Sequence, residues 1–207
     1  ISAKVFANVL AGSGVSRVLT MDWHANQIQG FFDIPVDSLF AAPTLVSHIK
    51  KNIKTKNIVC VAPDVGGVER ARAIGKRLLA DLAIIDKRRS GPGKSEVMNV
   101  IGNVKNKTCI IIDDLVDSGG TIVNAASALK NKGAKDVYAY VVHGVLTGEA
   151  VKKINKSKIK RFVISNSIFN DKKIGRSAKF QIINVGTLLA EAIKRISISK
   201  SVSKLFK

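Results

Sequence analysis

Apolar, β-branched runs alternate with segments of helical periodicity along this chain, and this alternation limits the possible folds more than any other feature. Five runs have the character of buried strands: NIVCVA (57–62), LAIID (82–86), TCIIID (108–113), DVYAYVV (136–142) and RFVIS (161–165). Helical periodicity occupies the intervening stretches around 66–80, 119–132 and 148–157. Near-continuous apolar strands of this kind are typical of a parallel sheet covered on both faces. The pattern predicts an α/β fold built on a doubly wound, mainly parallel sheet.

Glycine stands beside charged residues in the segments that follow four of the predicted strands. These segments are PDVGG (63–67), DKRRSGPGK (86–94), DDLVDSGGT (113–121) and HGVLTG (143–148). Doubly wound sheets bind their ligands beyond the carboxyl ends of the strands. We therefore expect the functional residues in these four segments.

The stretch IIIDDLVDSGGT (110–121) predicts a phosphate-binding turn. Its strand is expected to end at Ile112 and its helix to begin near Gly119. Small residues such as Gly119 and Gly120 let backbone amides approach an anion, and the helix N-terminus adds partial positive charge. Ser118 and Thr121 add hydroxyl donors, so the turn predicts a cradle for a phosphate monoester.

Three aspartates in the same stretch need a different role, because a phosphate would repel them. Asp113 and Asp114 are expected at the exit of the strand, and Asp117 follows three residues later. Carboxylates of this kind hold sugar hydroxyls or a hydrated Mg²⁺. The alternative is a structural helix terminus, in which Asp117 or Ser118 is the N-cap and Asp114 is a surface residue.

The formal charge of +19 is concentrated near the C-terminus, where residues 151–207 hold fifteen Lys and Arg against two acidic residues. Such a surface is compatible with nucleic-acid binding. However, no aromatic residues alternate with the lysines, as stacking on bases would require. We therefore interpret the charge as a solvated lysine surface and expect no nucleic-acid partner.

Cysteine usage and hydropathy indicate a cytoplasmic protein without a membrane partner. Cys60 and Cys109 lie inside apolar runs and form no CxxC pair, which predicts buried thiols in a reducing compartment. No run approaches the roughly 18 apolar residues of a membrane span, and no signal-peptide pattern is present. The first residues, ISAKVFANVLAG, already have helical periodicity, so we expect that further sequence precedes Ile1.

Residues 110–121 resemble the phosphoribosyl-diphosphate-binding motif shared by type I phosphoribosyltransferases and ribose-phosphate pyrophosphokinases. Four other segments resemble the pyrophosphokinases more than any transferase: MDWHANQIQGFFDIPVD (21–37), PDVGGVERAR (63–72), AIIDKRR (83–89) and SVSKLF (201–206). The chain is identified on these motifs as a member of the ribose-phosphate pyrophosphokinase family. The resemblance implies a sheet of the type I phosphoribosyltransferase kind, together with the remnant of a second, similar domain.

The implied reaction transfers the β,γ-diphosphoryl group of MgATP to the C1 hydroxyl of ribose 5-phosphate, giving phosphoribosyl diphosphate and AMP. The resemblance assigns the 5-phosphate to residues 118–121. It assigns the ribose hydroxyls, or a second Mg²⁺, to Asp113, Asp114 and Asp117. Lys87 and Arg89 would stabilise charge on the transferred group from a mobile loop, which acts best when closure excludes water.

The resemblance also implies a metal site and an allosteric pocket. His24 and Asp64 would bind Mg²⁺ near the nucleotide phosphates, and Asp22 lies two residues before His24, where both could project toward one cation. Imidazole is an unusual Mg²⁺ ligand, so without the resemblance His24 would be interpreted as structural. The candidates for a regulatory phosphate or ADP pocket are Gln29, Asp37, Ser201 and Ser203.

Two histidines and one glycine-rich segment receive other interpretations. His48 lies on a predicted helix near lysines and is expected at the surface, whereas His143 leaves a strand and either borders the site or packs. GPGKS (91–95) resembles the end of a P-loop, but Arg88 stands where the first glycine is required. The run after it, VMNVI, has strand rather than helix character, so no Walker A site is predicted.

The implied domains are a remnant of an N-terminal synthetase domain (1–40), a phosphoribosyltransferase-like domain (41–184) and a C-terminal helix and tail that pack with the remnant (185–207). Members of the family carry a further N-terminal region and assemble as dimers within hexamers. We therefore expect these 207 residues alone to bind ribose 5-phosphate weakly and to have little synthetase activity. Two alternatives are a type I phosphoribosyltransferase and a non-catalytic subunit associated with a synthetase.

Overall fold

The computed structural model describes residues 1–88 and 97–206, apart from the side chains of Arg88, Val97 and Met98. Arg89 and the segment GPGKS (91–95) therefore lie outside the described residues. The chain divides into two compact units. The terminal unit comprises residues 1–43 and 186–207, and the central unit comprises residues 44–185. The functional labels given to these regions from the resemblance stay a prediction.

The elements follow in a fixed order along the chain. They are α1 (Ser2–Gly12), β1 (Val18–Met21), a 3-10 helix (Asn26–Phe31), β2 (Val36–Leu39), α2 (Ala42–Asn52), β3 (Ile58–Ala62), α3 (Val68–Leu78), β4 (Asp81–Arg88), β5 (Val97–Ile101), β6 (Thr108–Val116), α4 (Gly120–Asn131), β7 (Asp136–Gly144), α5 (Ala150–Lys156), β8 (Arg161–Ser165), α6 (Asp171–Ile174), β9 (Phe180–Ile183), α7 (Gly186–Ser197) and a second 3-10 helix (Ser203–Phe206).

A seven-stranded sheet forms the centre of the central unit, in the order β5-β4-β3-β6-β7-β8-β9. Neighbouring strands are parallel except for β4 and β5, which pair antiparallel. This mainly parallel α/β sheet confirms the predicted fold class. Because β3, β4, β6 and β7 run in the same direction, their carboxyl ends lie at one edge of the sheet, where the glycine-containing segments were predicted to contribute.

Burial explains why the apolar runs became strands. Residues 108–112 of β6 are all buried, as are residues 59–62 of β3. One face of the sheet packs against α4 and α5 through Ile122, Leu129 and Ile154, all within a single apolar cluster. A strand covered on both faces stabilises the fold through every side chain and not through alternate ones, so its sequence is apolar throughout.

The terminal unit contains a two-stranded parallel sheet in which Val18 of β1 is opposite Val36 of β2. Its buried apolar residues include Ala7 of α1, Leu39 of β2 and Ala192 of α7. The predicted helices at both ends are present as α1 and α7. Val5 and Phe6 of α1 are 61% and 69% exposed, so this helix buries only a narrow strip of its apolar surface.

The short elements β2, α6 and β9 have no counterpart in the sequence-based expectations, and neither have the 3-10 helices. β2, α6 and β9 each span four residues. β9, FQII, is an edge strand with two buried and two more exposed positions, so its apolar pattern is too short to distinguish it from a loop. Among the helices that the structure describes, none combines the length and apolar composition needed to cross a bilayer.

His48 is not the surface residue that the sequence predicted. Its ring lies 5.6 Å from the ring of Tyr140, and its Nδ1 is 3.0 Å from the Tyr140 hydroxyl. Nε2 is buried and has no hydrogen-bond partner among the described residues. Burial, followed by the positive charges of Arg161 and Lys51, lowers the pKa of His48 below its ordinary value. The neighbouring lysines therefore suggested the wrong environment for this residue.

The two cysteines are free and buried, as the sequence predicted. They lie on the adjacent central strands β3 and β6, where Cys109 is opposite Val59 and Cys60 is opposite Ile110. Burial raises the pKa of each thiol to about 12. Both thiols are therefore protonated at neutral pH and contribute to the fold as small apolar side chains.

Candidate functional site

Strand β6 extends four residues beyond its predicted end at Ile112 and finishes at Val116. Asp113 and Asp114 therefore lie within the strand, not after it. The prediction was wrong because aspartate is unfavourable in strands in general. Here β7 provides a full pairing partner, with Asp113 opposite Val141 and Val116 opposite Gly144. Strand geometry consequently fixes the backbone positions of both carboxylates.

Asp113 and Asp114 form a closely coupled pair of carboxylates. The backbone amide of Asp114 donates a hydrogen bond of 2.9 Å to Asp113 Oδ1. Burial raises the pKa of Asp113 to about 8, and the hydrogen bond and charge of Asp114 add to the rise, as does the charge of Asp64. Burial and the neighbouring carboxylate thus disfavour the ionised form of Asp113, and a bound cation or hydroxyl donors would favour it.

Arg70 of α3 partly neutralises this pair and was not predicted as a site residue. Its Nη2 lies 3.4 Å from Asp114 Oδ2, and the two side chains are only 20% and 5% exposed. Asp114 is therefore not the surface residue proposed in the structural alternative. An arginine in the first turn of a helix has no distinguishing sequence signal, and only its membership of the PDVGGVERAR segment connects it with the site.

The turn after β6 leads directly into α4. Asp117 and Ser118 are exposed, and Gly119 has a φ of +76°. Gly119 is the N-cap of α4, and no side chain caps this helix. The alternative in which Asp117 or Ser118 is the cap is therefore wrong. The first amides of a helix have no intrahelical acceptor, so they remain suited to binding an anion at this turn.

Gly119 is favoured by its conformation and is closely packed. Its positive φ is unfavourable for residues with a side chain. A Cβ at this position would also lie 3.4 Å from two carbons of Ile154 and 3.7 Å from the carbonyl oxygen of Ala150. The turn is consequently packed against α5, which holds its backbone close to that helix.

Lys87 comes to the same turn from within β4, which ends at Arg88, and not from a loop after the strand as the sequence predicted. Its Nζ donates a hydrogen bond of 3.2 Å to Thr121 Oγ1, across 34 residues of sequence. The structure thus brings one of the two predicted catalytic cations to the predicted phosphate cradle. Arg89, the other cation, lies outside the described residues.

Thr147 is a second residue of this region that the sequence did not single out. Its hydroxyl donates a hydrogen bond of 2.6 Å to Asp117 Oδ1. The segment HGVLTG was expected to contribute to the site as a strand exit, but nothing in its pattern distinguishes Thr147 from other loop threonines. The contact becomes evident only when β6 and β7 are placed side by side.

His143 belongs to β7 itself, not to the loop after it, and is opposite Leu115 of β6. Its Nδ1 is 2.9 Å from the hydroxyl of Ser167 in the loop after β8. This contact connects the exits of two strands. It supports the packing interpretation of His143 at the border of the site.

The residues predicted to bind metal are distributed over both units. Asp22 and His24 belong to the terminal unit, whereas Asp64 belongs to the central unit. Asp22 Oδ2 accepts a hydrogen bond of 2.7 Å from the amide of Ala41, and Asp64 Oδ1 accepts one of 3.0 Å from the amide of Gly67. In residues 1–88 and 97–206, no cluster of three or more His, Cys, Asp or Glu could hold a metal ion.

The pair Asp113 and Asp114 nevertheless has suitable chemistry for Mg²⁺. This ion is commonly held by one or two carboxylates, with water and substrate phosphates completing its coordination. Both residues offer carboxylate oxygens, and a cation would favour the ionised form of Asp113, which burial and then the charge of Asp114 disfavour. The donor set therefore fits Mg²⁺ bound together with a phosphorylated substrate.

The four predicted allosteric residues all lie in the terminal unit. The hydroxyls of Ser201 and Ser203 are 2.8 Å apart. Asp37 Oδ2 accepts a hydrogen bond of 2.6 Å from Arg17 Nε, and Gln29 donates one to the carbonyl oxygen of Asn26. A regulatory pocket formed by these residues stays a prediction.

Comparison with known proteins relates the chain to enzymes that make phosphoribosyl diphosphate. Residues 88–207 match the family model described as "Phosphoribosyl synthetase-associated domain". The ribose-phosphate pyrophosphokinase of Bradyrhizobium diazoefficiens is 53% identical over 206 residues, and that of Brucella melitensis is 54% identical over 206 residues. Each alignment includes 100% of this chain but only 65% or 66% of the relative.

A solved structure supports the same relationship. The phosphoribosylpyrophosphate synthetase of Mycobacterium smegmatis matches with a TM-score of 0.88 at 34% sequence identity. The match covers 96% of this chain and 64% of that structure. The chain thus spans about two thirds of the length of the proteins that it resembles.

Proposed function

The chain belongs to the ribose-phosphate pyrophosphokinase family, and from this premise we propose that its site serves the transfer of the β,γ-diphosphoryl group of MgATP to the C1 hydroxyl of ribose 5-phosphate. The products are phosphoribosyl diphosphate and AMP. The observation that carries this proposal is the hydrogen bond of 3.2 Å between Lys87 and Thr121. It brings a cation suited to a diphosphoryl group next to the turn suited to a sugar phosphate.

Ribose 5-phosphate is held through two chemically different contacts. The amides and hydroxyls of residues 118–121 bind the 5-phosphate, because a glycine-containing turn at a helix N-terminus presents donors and partial positive charge. Asp113, Asp114 and Asp117 accept hydrogen bonds from the ribose hydroxyls. Since Asp113 and Asp114 belong to a paired strand, they are held rigidly with respect to the turn.

The reaction depends on positioning and charge stabilisation. The C1 hydroxyl attacks the β-phosphorus in line with the departing AMP, and phosphoryl-type transfers of this kind need little covalent participation by the protein. Lys87 stabilises the charge that develops on the transferred group. Arg89 follows it by two residues and is proposed to act in the same way. Arg70 places a positive charge 3.4 Å from Asp114 Oδ2 and so helps to orient this carboxylate.

Mg²⁺ is the proposed cofactor. Asp113 and Asp114 would hold one ion with the ribose, whereas an ion at the nucleotide phosphates held by His24, Asp64 and Asp22 stays an implication of the resemblance. When bound, Mg²⁺ neutralises phosphate oxygens and so makes the phosphorus more susceptible to attack. A cytoplasmic homo-oligomer of dimers within a hexamer, with an anion pocket at Gln29, Asp37, Ser201 and Ser203, completes the proposal.

The test uses ATP labelled at the β-phosphorus. Incubated with Mg²⁺ and ribose 5-phosphate, the chain is expected to form AMP slowly and to move the label into phosphoribosyl diphosphate. Release of labelled inorganic diphosphate instead, or AMP formation that does not depend on ribose 5-phosphate, would contradict the proposal. Rapid turnover would contradict only the expectation that these 207 residues have little activity. Supplied with phosphoribosyl diphosphate and free bases, the chain should form no nucleotide, which distinguishes it from a phosphoribosyltransferase.

A further inference from the structure

Asp117 and Thr147 are joined by two hydrogen bonds, although 30 residues separate them. Thr147 Oγ1 donates to Asp117 Oδ1 over 2.6 Å, and the backbone amide of Thr147 donates to the carbonyl oxygen of Asp117 over 3.1 Å. One residue earlier, the amides of Val145 and Leu146 both donate to the carbonyl oxygen of Val116, over 2.9 and 3.2 Å. Residues 145–147 are therefore fixed to the end of β6 and the start of its turn.

Packing determines the position of Thr147. The preceding residue, Leu146, is 2% exposed and has a φ of +52°, a conformation that is unfavourable for leucine. On the C-terminal side, the carbonyl oxygen of Thr147 accepts a hydrogen bond from the amide of Ala150 at the start of α5. A strained backbone persists only where its surroundings over-determine it, and strain of this kind is concentrated at functional sites. The Thr147 hydroxyl is thus placed by a buried leucine on one side and a helix on the other.

We propose that Thr147 is a positioning residue that orients the Asp117 carboxylate toward a hydroxyl of the sugar, an inference that rests on the proposed function. Because Thr147 donates to Oδ1, the rotation of the carboxylate is restricted. Asp117 Oδ2 has no hydrogen-bond or ionic partner among residues 1–88 and 97–206, so it can accept a ligand hydroxyl. Both side chains are exposed, and without Thr147 the carboxylate would adopt several rotamers in solvent.

The positioning role predicts different effects on the binding of two ligands, inorganic phosphate and ribose 5-phosphate, at the same turn. Inorganic phosphate uses only the donors of residues 118–121, whereas ribose 5-phosphate also uses Asp117. Removing the Thr147 hydroxyl should therefore weaken the binding of ribose 5-phosphate and leave the binding of phosphate unchanged. A merely structural role in shaping the turn would weaken both ligands equally, because the same backbone holds the phosphate in each case.

Four variants of the 207-residue chain test the proposal: Thr147→Val, Thr147→Ser, Asp117→Asn and the Thr147→Val/Asp117→Asn double variant. Ser177→Ala is the matched control, since the Ser177 hydroxyl donates an exposed hydrogen bond of the same 2.6 Å length to Asn155, away from the site carboxylates. Dissociation constants for ribose 5-phosphate and for inorganic phosphate are measured from amide chemical shifts in NMR titrations. This method suits weak ligands.

Thr147→Val is expected to raise the dissociation constant for ribose 5-phosphate about tenfold. This loss of affinity is typical of removing one hydrogen bond to a charged group. Thr147→Ser and Ser177→Ala should leave it unchanged. Adding Thr147→Val to Asp117→Asn should produce no further loss, because the interacting carboxylate is already changed. An unchanged value in Thr147→Val, or a parallel loss of phosphate binding, would overturn the positioning role alone. If the unaltered chain binds neither ligand, the proposed function fails as well.

Discussion

The ammonium group of Lys87 donates a hydrogen bond to the hydroxyl of Thr121, which connects the end of β4 with the first turn of α4. The two residues serve different parts of the proposed reaction. Thr121 belongs to the turn proposed to bind the sugar phosphate, and Lys87 is proposed to act on the diphosphoryl group. Their contact supports the proposal that the sugar phosphate and the diphosphoryl group are bound at one edge of the sheet.

Replacing Lys87 with methionine should separate binding from transfer. We expect Lys87→Met to lower AMP formation that depends on ribose 5-phosphate about 100-fold, because it removes one preorganised charge from the transferred group. Its dissociation constant for ribose 5-phosphate should stay close to that of the unaltered chain. The control is Lys107→Met, which loses an ion pair of 2.6 Å with Asp81 at the start of β4. Equal activity in the two variants would remove Lys87 from the mechanism.

Arg70 should stabilise the fold through Asp114. Because the Asp114 side chain is only 5% exposed, Arg70→Met leaves a buried carboxylate with less compensation. The free energy of unfolding should fall by about 2 kcal/mol, as measured by urea denaturation. Arg72→Met, an exposed position on the same helix, serves as the control and should change it little.

A double-mutant cycle identifies the interaction responsible for this loss. In an Asp114→Asn background, Arg70→Met should cost at least about 0.5 kcal/mol less than in the unaltered chain. If Arg70→Met costs the same in both backgrounds, the arginine stabilises the protein through other contacts.

Gly119 and Gly148 provide a matched pair for the phosphate turn. Both have positive φ, +76° and +52°, but a Cβ at Gly148 meets nothing within 4 Å, whereas one at Gly119 meets Ile154 and Ala150. Each alanine substitution should lower the free energy of unfolding by about 1 kcal/mol or more through backbone strain. Only Gly119→Ala should also weaken the binding of inorganic phosphate in an NMR titration. Comparable phosphate binding in both variants would show that the packing of Gly119 does not shape the anion site.

His48 should make the stability depend on pH in mildly acidic solution. Its pKa is lowered from 6.5 in the folded protein, so below that pH the unfolded chain binds more protons than the folded one. The free energy of unfolding should therefore decrease as the pH falls from 6.5 toward the lowered pKa, and His48 should have no such effect above pH 7. His48→Gln should reduce the slope in urea denaturation series across this range. An identical slope in the variant would mean that His48 is not the titrating group.

The apolar strands were predictable because burial on both faces imposes a local, continuous pattern. The end of β6 could not be predicted, because the strand continues through Asp113 and Asp114 to Val116 only by pairing with β7. His48 was misinterpreted for a related reason. Sequence neighbours do not indicate the environment of a helical residue whose contact, Tyr140, lies 92 residues away.

The resemblance implied a chemistry for the site, but it did not indicate the residues that support the site side chains. The turn at 118–121 and the acids before it have a specific local pattern. Arg70 and Thr147 do not, because their importance comes from single contacts across 44 and 30 residues with Asp114 and Asp117. Such supporting residues are found only from their tertiary contacts.

An NMR titration of the 207-residue chain with ribose 5-phosphate tests the central claim most directly, because it reports binding at individual amides without requiring turnover. We predict saturable shifts in the amides of Ser118, Gly119, Gly120 and Thr121, accompanied by shifts at Asp113 and Asp114. Ribose without its phosphate should produce no shift of this kind at residues 118–121. Shifts that fail to saturate, that occur elsewhere in the chain, or that ribose alone reproduces would contradict a ribose 5-phosphate site at the end of β6.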